Sequence, residues 1–239
     1  MDDIFEILFI LARPAAGKSE ILHYLKGLDN AERRSRFHIG KMHIIDDFPM
    51  LWTWFEEDDL LNKMGHPRLH TDSEGYFLYP YLWDLLIERM VLEYSKYSRD
   101  LKKKNDNTVI FEFSRGKEHG GYKGAFAHIP KTILKKAAIM YVNVSWEESL
   151  RKNRKRFNPD RPDSILEHGL SDDKLRALYF ECDFQEINPD PIGFINIGNL
   201  KLPFINFENN DDVTTFQNKG LSKRLSEKLS ALWNLETFR

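Results

Sequence analysis

One cysteine in 239 residues excludes a disulfide framework within the chain and a cysteine-rich zinc module, and it fits a reducing compartment. That residue, Cys182, lies between Glu181 and Asp183, whose charges disfavour a thiolate, so it reads as an inert thiol. Long apolar runs are missing as well. The early run 4–12 is too short to span a bilayer, and Asp2 and Asp3 precede it where a signal peptide carries basic residues. A cytoplasmic protein with no membrane partner is expected. Excess charge of either sign is also lacking: Lys plus Arg total 35 against 37 for Asp plus Glu, so any site for an anion or for nucleic acid must be local. Repeats, low-complexity tracts and Ser/Pro linkers are absent, which leaves a single domain over 1–239 with insertions. At 41% hydrophobic and 30% charged, the composition excludes collagen, coiled coil and disorder.

What the chain does contain is alternation. Short apolar runs at 4–11, 42–45, 108–113, 138–144 and 203–207 read as strands, and long helical stretches separate them. That order predicts an α/β fold with a parallel sheet covered by helices on both faces. Leu82, Leu86, Met90, Tyr94 and Tyr97 form one apolar stripe on a long helix that runs into the polar segment 102–105. Leu221, Leu225, Leu229 and Leu232 form another near the C-terminus.

The first strand leads directly into Ala12-Arg13-Pro14-Ala15-Ala16-Gly17-Lys18-Ser19, after which 20–26 reads as a helix stopped by Gly27. This strand, loop and helix resembles the P-loop, or Walker A motif, in the form that admits Ala12 where Gly is usual. Backbone N–H groups of Arg13, Pro14's neighbours, Ala15, Ala16 and Gly17 at a helix N-terminus converge on an anion. Lys18 reaches β- and γ-phosphates, and the Ser19 hydroxyl ligates Mg²⁺.

Such a loop needs an acid from a neighbouring strand end, and Glu112 closes the run 108–112. It faces metal, water or Arg115; the plainer alternative is a Glu112–Arg115 pair with no metal role. The second strand ends in Asp46-Asp47. Asp46 is a candidate general base or a helix cap, and Asp47 is the better candidate for the cap. Trp52 and Trp54, followed by Glu56, Glu57, Asp58 and Asp59, could wall an acceptor pocket in the inserted region 48–80, or simply fill core. The cluster Arg151-Lys152-Asn153-Arg154-Lys155-Arg156, with the Pro/Asp stretch after it, reads as a lid over phosphates at 151–171. A solvated helix face or a small nucleic-acid patch are the alternatives.

Together these residues resemble the nucleoside and nucleotide kinase branch of P-loop NTPases, most closely the deoxynucleoside kinase group, over most of the chain. In Phe111-Glu112-Phe113-Ser114-Arg115, Glu112 and Ser114 keep the family pattern, Phe113 departs from it and Arg115 stands two residues late. Arg154-x-Arg156 matches the closing pair of the family lid, and Arg151 is displaced by one position. The family's catalytic carboxylate corresponds to Asp46 or Asp47. The resemblance implies a three-layer sandwich around a five-stranded parallel sheet, ATP as phosphoryl donor, Mg²⁺ and often a homodimer. It also implies that 204–212, with Asn209, forms the last strand and the loop that holds the adenine.

The expected protein is therefore an ATP-dependent phosphotransferase acting on a small-molecule acceptor such as a nucleoside or nucleotide. Lys18, Asp46, Glu112, Arg154 and Arg156 would carry catalysis. Residues 13–19 and Asn209 would bind the donor, Asp46, Arg115 and Arg151 the acceptor, and Ser19 and Glu112 the metal. The rivals are a P-loop ATPase or switch without an acceptor, and a nucleic-acid-binding or end-modifying P-loop protein.

Overall fold

The computed structural model describes residues 3–101, 106–157, 160, 169–187, 190–217 and 219–237. The polar segment 102–105 expected to end the long helix lies outside them.

The chain runs β1 (Ile7–Ala12), α1 (Lys18–Gly27), α2 (Asn30–Phe37), β2 (Lys41–Asp46), α3 (Asp47–Lys63), α4 (Tyr81–Asp100) and β3 (Asn107–Phe113). A 3₁₀ turn (Lys117–His119), α5 (Gly121–Ala127), α6 (Lys131–Leu134), β4 (Ala137–Asn143), α7 (Trp146–Arg156) and α8 (Asp172–Tyr179) follow. The hairpin β5 (Ile192–Ile197) and β6 (Leu200–Glu208), then α9 (Lys219–Thr237), complete it.

All five expected strands are present in one sheet of order β2-β3-β1-β4-β6-β5. The first five in that order are parallel neighbours, whereas β5 pairs antiparallel with β6. The expectation of five strands, all parallel, is thus corrected to six with one antiparallel edge. The sixth strand exists because Gly198, at φ 59, allows a tight reversal between Ile197 and Leu200.

Every residue of β1 and β3 is buried, as expected where helices cover both faces. Strand alternation divides them. Ile7, Phe9 and Leu11 face a core made with α4, α5 and α6. Leu8, Ile10 and Ala12 face one made with α1 and α9. The stripe on α4 places Leu82, Leu86 and Met90 inside with Tyr94 and Tyr97 partly buried, and Leu221, Leu225, Leu229 and Leu232 of α9 are wholly buried. No helix among the described residues is long and apolar enough to cross a membrane.

After β1 the chain crosses to β2 on one side, and after β3 it crosses to β4 on the other. The carboxyl end of β1, between β3 and β4, is therefore the switch point where open α/β sheets leave a crevice.

Candidate active site

The loop 13–17 sits at that crevice. Ala15 (φ 57) and Gly17 (φ 110) adopt left-handed backbone. At Gly17 a side chain is excluded twice over, by φ and because a Cβ would lie 2.6 Å from Thr214 Oγ1 and 2.7 Å from Asn209 Nδ2. Helix α1 starts with no side-chain cap, which leaves its first N–H groups to an anion or water. The loop is tied down from outside. Asn209 Nδ2 donates to Ala16 O (2.8 Å), Ser149 Oγ donates to Pro14 O (2.9 Å), and Arg13 donates to the carbonyls of Val144, Tyr179 and Phe180. Arg13 thus serves the loop's framework through its side chain. Asn209 also donates to Thr214 Oγ1 and accepts from Thr214 N, so its amide is committed to holding two loops together.

Lys18 is buried and its ammonium donates to Ser114 Oγ at 2.7 Å. Burial lowers its pKa from the ordinary lysine value, against the pull of Glu112, Asp46 and Asp47. Ser19 Oγ donates to Glu112 Oε1 at 3.2 Å. Glu112 stands in register with Ile10 of β1 and with Asp46 of β2, so the two carboxylates close adjacent strands side by side. Burial, then Glu112, then Asp47 push Asp46 up to about 7. Burial also raises Glu112, opposed by Lys18 and by the Ser19 hydrogen bond. Two carboxylates raised in this way beside a hydroxyl make a fitting place for a divalent cation, whose charge would relieve them. Among the described residues no group of three or more His, Cys, Asp or Glu side chains could hold a metal.

The cap at the start of α3 is Asp46, whose Oδ1 accepts from Phe48 N at 2.9 Å. This corrects the expectation that Asp47 caps. Asp46 is the last extended residue, with φ −119 and ψ 131, and only a residue outside the helix can fold its oxygen back onto the second following N–H. Asp47 turns inward and pairs with Arg115 at 2.5 Å. Arg115, 2% exposed, also donates to Ser114 O and Trp83 O and lies 5.4 Å over Trp83 and 5.3 Å over Phe113. The alternative of a Glu112–Arg115 pair is therefore not realised: Arg115 belongs to Asp47.

On α7 the buried residues are Ser149, Lys152 and Asn153, a face that Arg156 shares by helical spacing. Arg156 interacts with Glu112, Asp46 and Glu20, and burial lowers its pKa. Arg154, two residues earlier, is about 200° away around the helix. It is exposed and bonded to Asp172 at the start of α8. Arg154 and Arg156, expected to act together, are thus not brought together in this structure: Arg156 is at the carboxylates and Arg154 is at Asp172. Arg151 is likewise on the outside, bonded to Glu148 and to Asp212. These pairings compensate two cations of the supposed basic patch. Of the lid 151–171, residues 158, 159 and 161–168 lie outside the described residues.

Sequence reasoning missed Lys152. Its ammonium, 7% exposed, donates to Glu20 Oε2 (2.9 Å), Asp212 Oδ1 (2.6 Å) and Thr214 Oγ1 (3.2 Å). Thr214 and Thr215 also bond Glu20, so α1, α7 and the loop after β6 meet in one buried polar knot. The i, i+3, i+4 spacing of Ser149, Lys152 and Asn153 was the signal. In the region 48–80, Trp54 is core and stacks on His70, while buried Asp58 accepts from the backbones of Leu69, His70 and Thr71. Trp54 and Asp58 thus hold the segment's shape.

No family model matches this chain, and no curated protein matches it. It is similar to a solved structure described as the crystal structure of APE1195, at 13% identity and a TM-score of 0.42, over 100% of this chain and 97% of that one. A likeness at that distance carries no argument about function.

Proposed function

We propose that this chain is an ATP-dependent phosphotransferase of the P-loop kinase type acting on a small acceptor, with 12–19 as its phosphate loop. The observation that carries this reading is convergence. Lys18, Ser19, Asp46 and Glu112 meet at the uncapped N-terminus of α1, beyond the carboxyl ends of three parallel strands. Loop amides and Lys18 would bind the donor's β- and γ-phosphates, and Arg156 would offset charge spreading over the transferred group. Ser19 and Glu112 would hold Mg²⁺, which draws charge from the phosphate oxygens. Asp46 would take the proton from an acceptor hydroxyl as that oxygen bonds to the γ-phosphorus and the bond from the γ-phosphorus to the bridging oxygen breaks, releasing ADP. The rest is positioning, which phosphoryl transfer mainly requires.

The test is thermal stability with Mg-ATP, alone and against bisubstrate analogues joining adenosine to a second nucleoside by a polyphosphate. A ligand at 100 times its Kd stabilises by about 2.7 kcal/mol. Stabilisation by ATP that an acceptor-linked analogue exceeds supports a kinase. ATP turnover that no acceptor accelerates would favour the ATPase alternative, and no response to any nucleotide would remove both.

A further inference from the structure

We infer that His119 reads the acceptor, and that the acceptor is uncharged where it meets this ring: a hydroxyl or amide group that both donates and accepts a hydrogen bond. The inference deepens the proposed kinase reading and rests on it for the word acceptor.

His119 ends the 3₁₀ turn that follows β3, on the edge of the sheet that carries Glu112. Its residue is 8% exposed. The ring stacks on Trp83 at 3.8 Å and 14°, and meets the edge of Tyr179 at 5.4 Å and 83°. Its direction is therefore fixed from both sides. Yet among the described residues both ring nitrogens are buried without a hydrogen-bond partner. Buried polar atoms are almost always paired, and leaving two on one ring costs stability. His43 and His70 also have one such nitrogen each, but those face Glu93 at 3.9 Å and Asp58 at 3.4 Å. No ion pair of that kind is present at His119 among the described residues. A ring whose only task was to fill the space between Trp83 and Tyr179 would be better served by Phe.

The chemistry of the missing partner follows from the charge around it. Burial and the nearby Arg115 hold the imidazole down to about 3, so at neutral pH it is uncharged and offers one N–H and one lone pair. Arg115 is already bonded to Asp47, Ser114 O and Trp83 O. A phosphate or carboxylate would meet an occupied guanidinium and an imidazole lone pair facing its own. A hydroxyl or amide matches both nitrogens. Arg115, whose charge acts on this ring, pairs with Asp47, the residue that follows Asp46. Tyr179 covers the ring in this structure, and reaching its nitrogens requires α8 to shift.

The experiment uses the full chain, wild type, His119→Phe and His119→Gln. Probes are adenosine, thymidine, cytidine, glucose and glycerol, each beside its monophosphate. Binding is read by thermal shift and by the ¹⁵N resonances of His119 in ring-labelled protein, with and without Mg-ATP. The expected result is that at least one uncharged probe moves the His119 resonances and that its monophosphate does not. His119→Phe should keep or raise the melting temperature, keep the response to Mg-ATP, and weaken that probe's binding at least tenfold through KM with kcat little changed. His119→Gln, which restores a donor and an acceptor, should recover part of it. The inference is overturned if no uncharged probe reaches His119, if monophosphates bind there equally well, or if His119→Phe binds the probe as wild type does. Failure of Mg-ATP to bind would remove the kinase reading while leaving the ring's selectivity for uncharged probes to be judged on its own resonances.

Discussion

Asp46 and Glu112 are register partners on adjacent parallel strands, and both carry a carboxylate to the same edge of the sheet. Burial and this neighbour push Asp46 up to about 7 from 3.8. The native state therefore holds a proton that the unfolded chain releases, and the stability from that proton is present below about pH 4 and fades as pH rises through about 7. Asp46→Asn keeps an oxygen for Phe48 N and removes the charge. It should stabilise the protein at pH 8 by about 1–3 kcal/mol, with little change at pH 4, while lowering phosphotransfer about 10²-fold or more. Urea unfolding at the two pH values, with initial rates alongside, checks this. Equal stability increments at both pH values would mean that neither burial nor the neighbouring carboxylates raise the Asp46 pKa.

The two arginines of Arg154-x-Arg156 should separate cleanly. Arg156 interacts with Glu112 and Asp46, whereas Arg154 is bonded to Asp172 in solvent. Arg156→Ala should lower kcat at least about tenfold, and Arg154→Ala should leave it within about twofold. Steady-state kinetics of both variants decide, and an equal loss in each would return Arg154 to the site.

The Asp47–Arg115 pair is buried at 2.5 Å. Removing one member strands the other's charge, so Arg115→Leu should cost about 3–5 kcal/mol, and adding Asp47→Leu should recover most of it. Chemical denaturation of both single variants and the double variant measures the coupling. Additive losses would show that the two side chains act separately.

The strands and long helices were legible because apolar periodicity records burial directly: β1 and β3 are apolar throughout since both faces are covered, and α4 and α9 each carry one stripe. The edge strand β5 was not, because only Ile195 among its residues is buried and Gly193 interrupts its pattern, although the Gly198-Asn199 reversal was there to be read. Lys18 and Ser19 were legible from the Gly17-Lys18-Ser19 motif after the first strand, and Asp46 and Glu112 because each closes an apolar run. Arg154 and Arg156 were read as a pair from the lid resemblance and the density of cations, whereas helical geometry turns residues two apart to different sides of α7. Lys152 was hidden among cations for the same reason. His119, Trp83 and Tyr179 come from a turn and two helices far apart in the chain, and no local spacing announces a contact that only the fold creates.

In the proposed function, 12–19 binds the phosphates of a nucleoside triphosphate through Lys18. Isothermal titration of Mg-ATP into wild type and Lys18→Ala tests it most directly. Saturable one-site binding to wild type, lost or weakened at least about a hundredfold in Lys18→Ala, is the predicted result; equal affinity in the two proteins, or no binding of any Mg-nucleoside triphosphate to wild type, would contradict it.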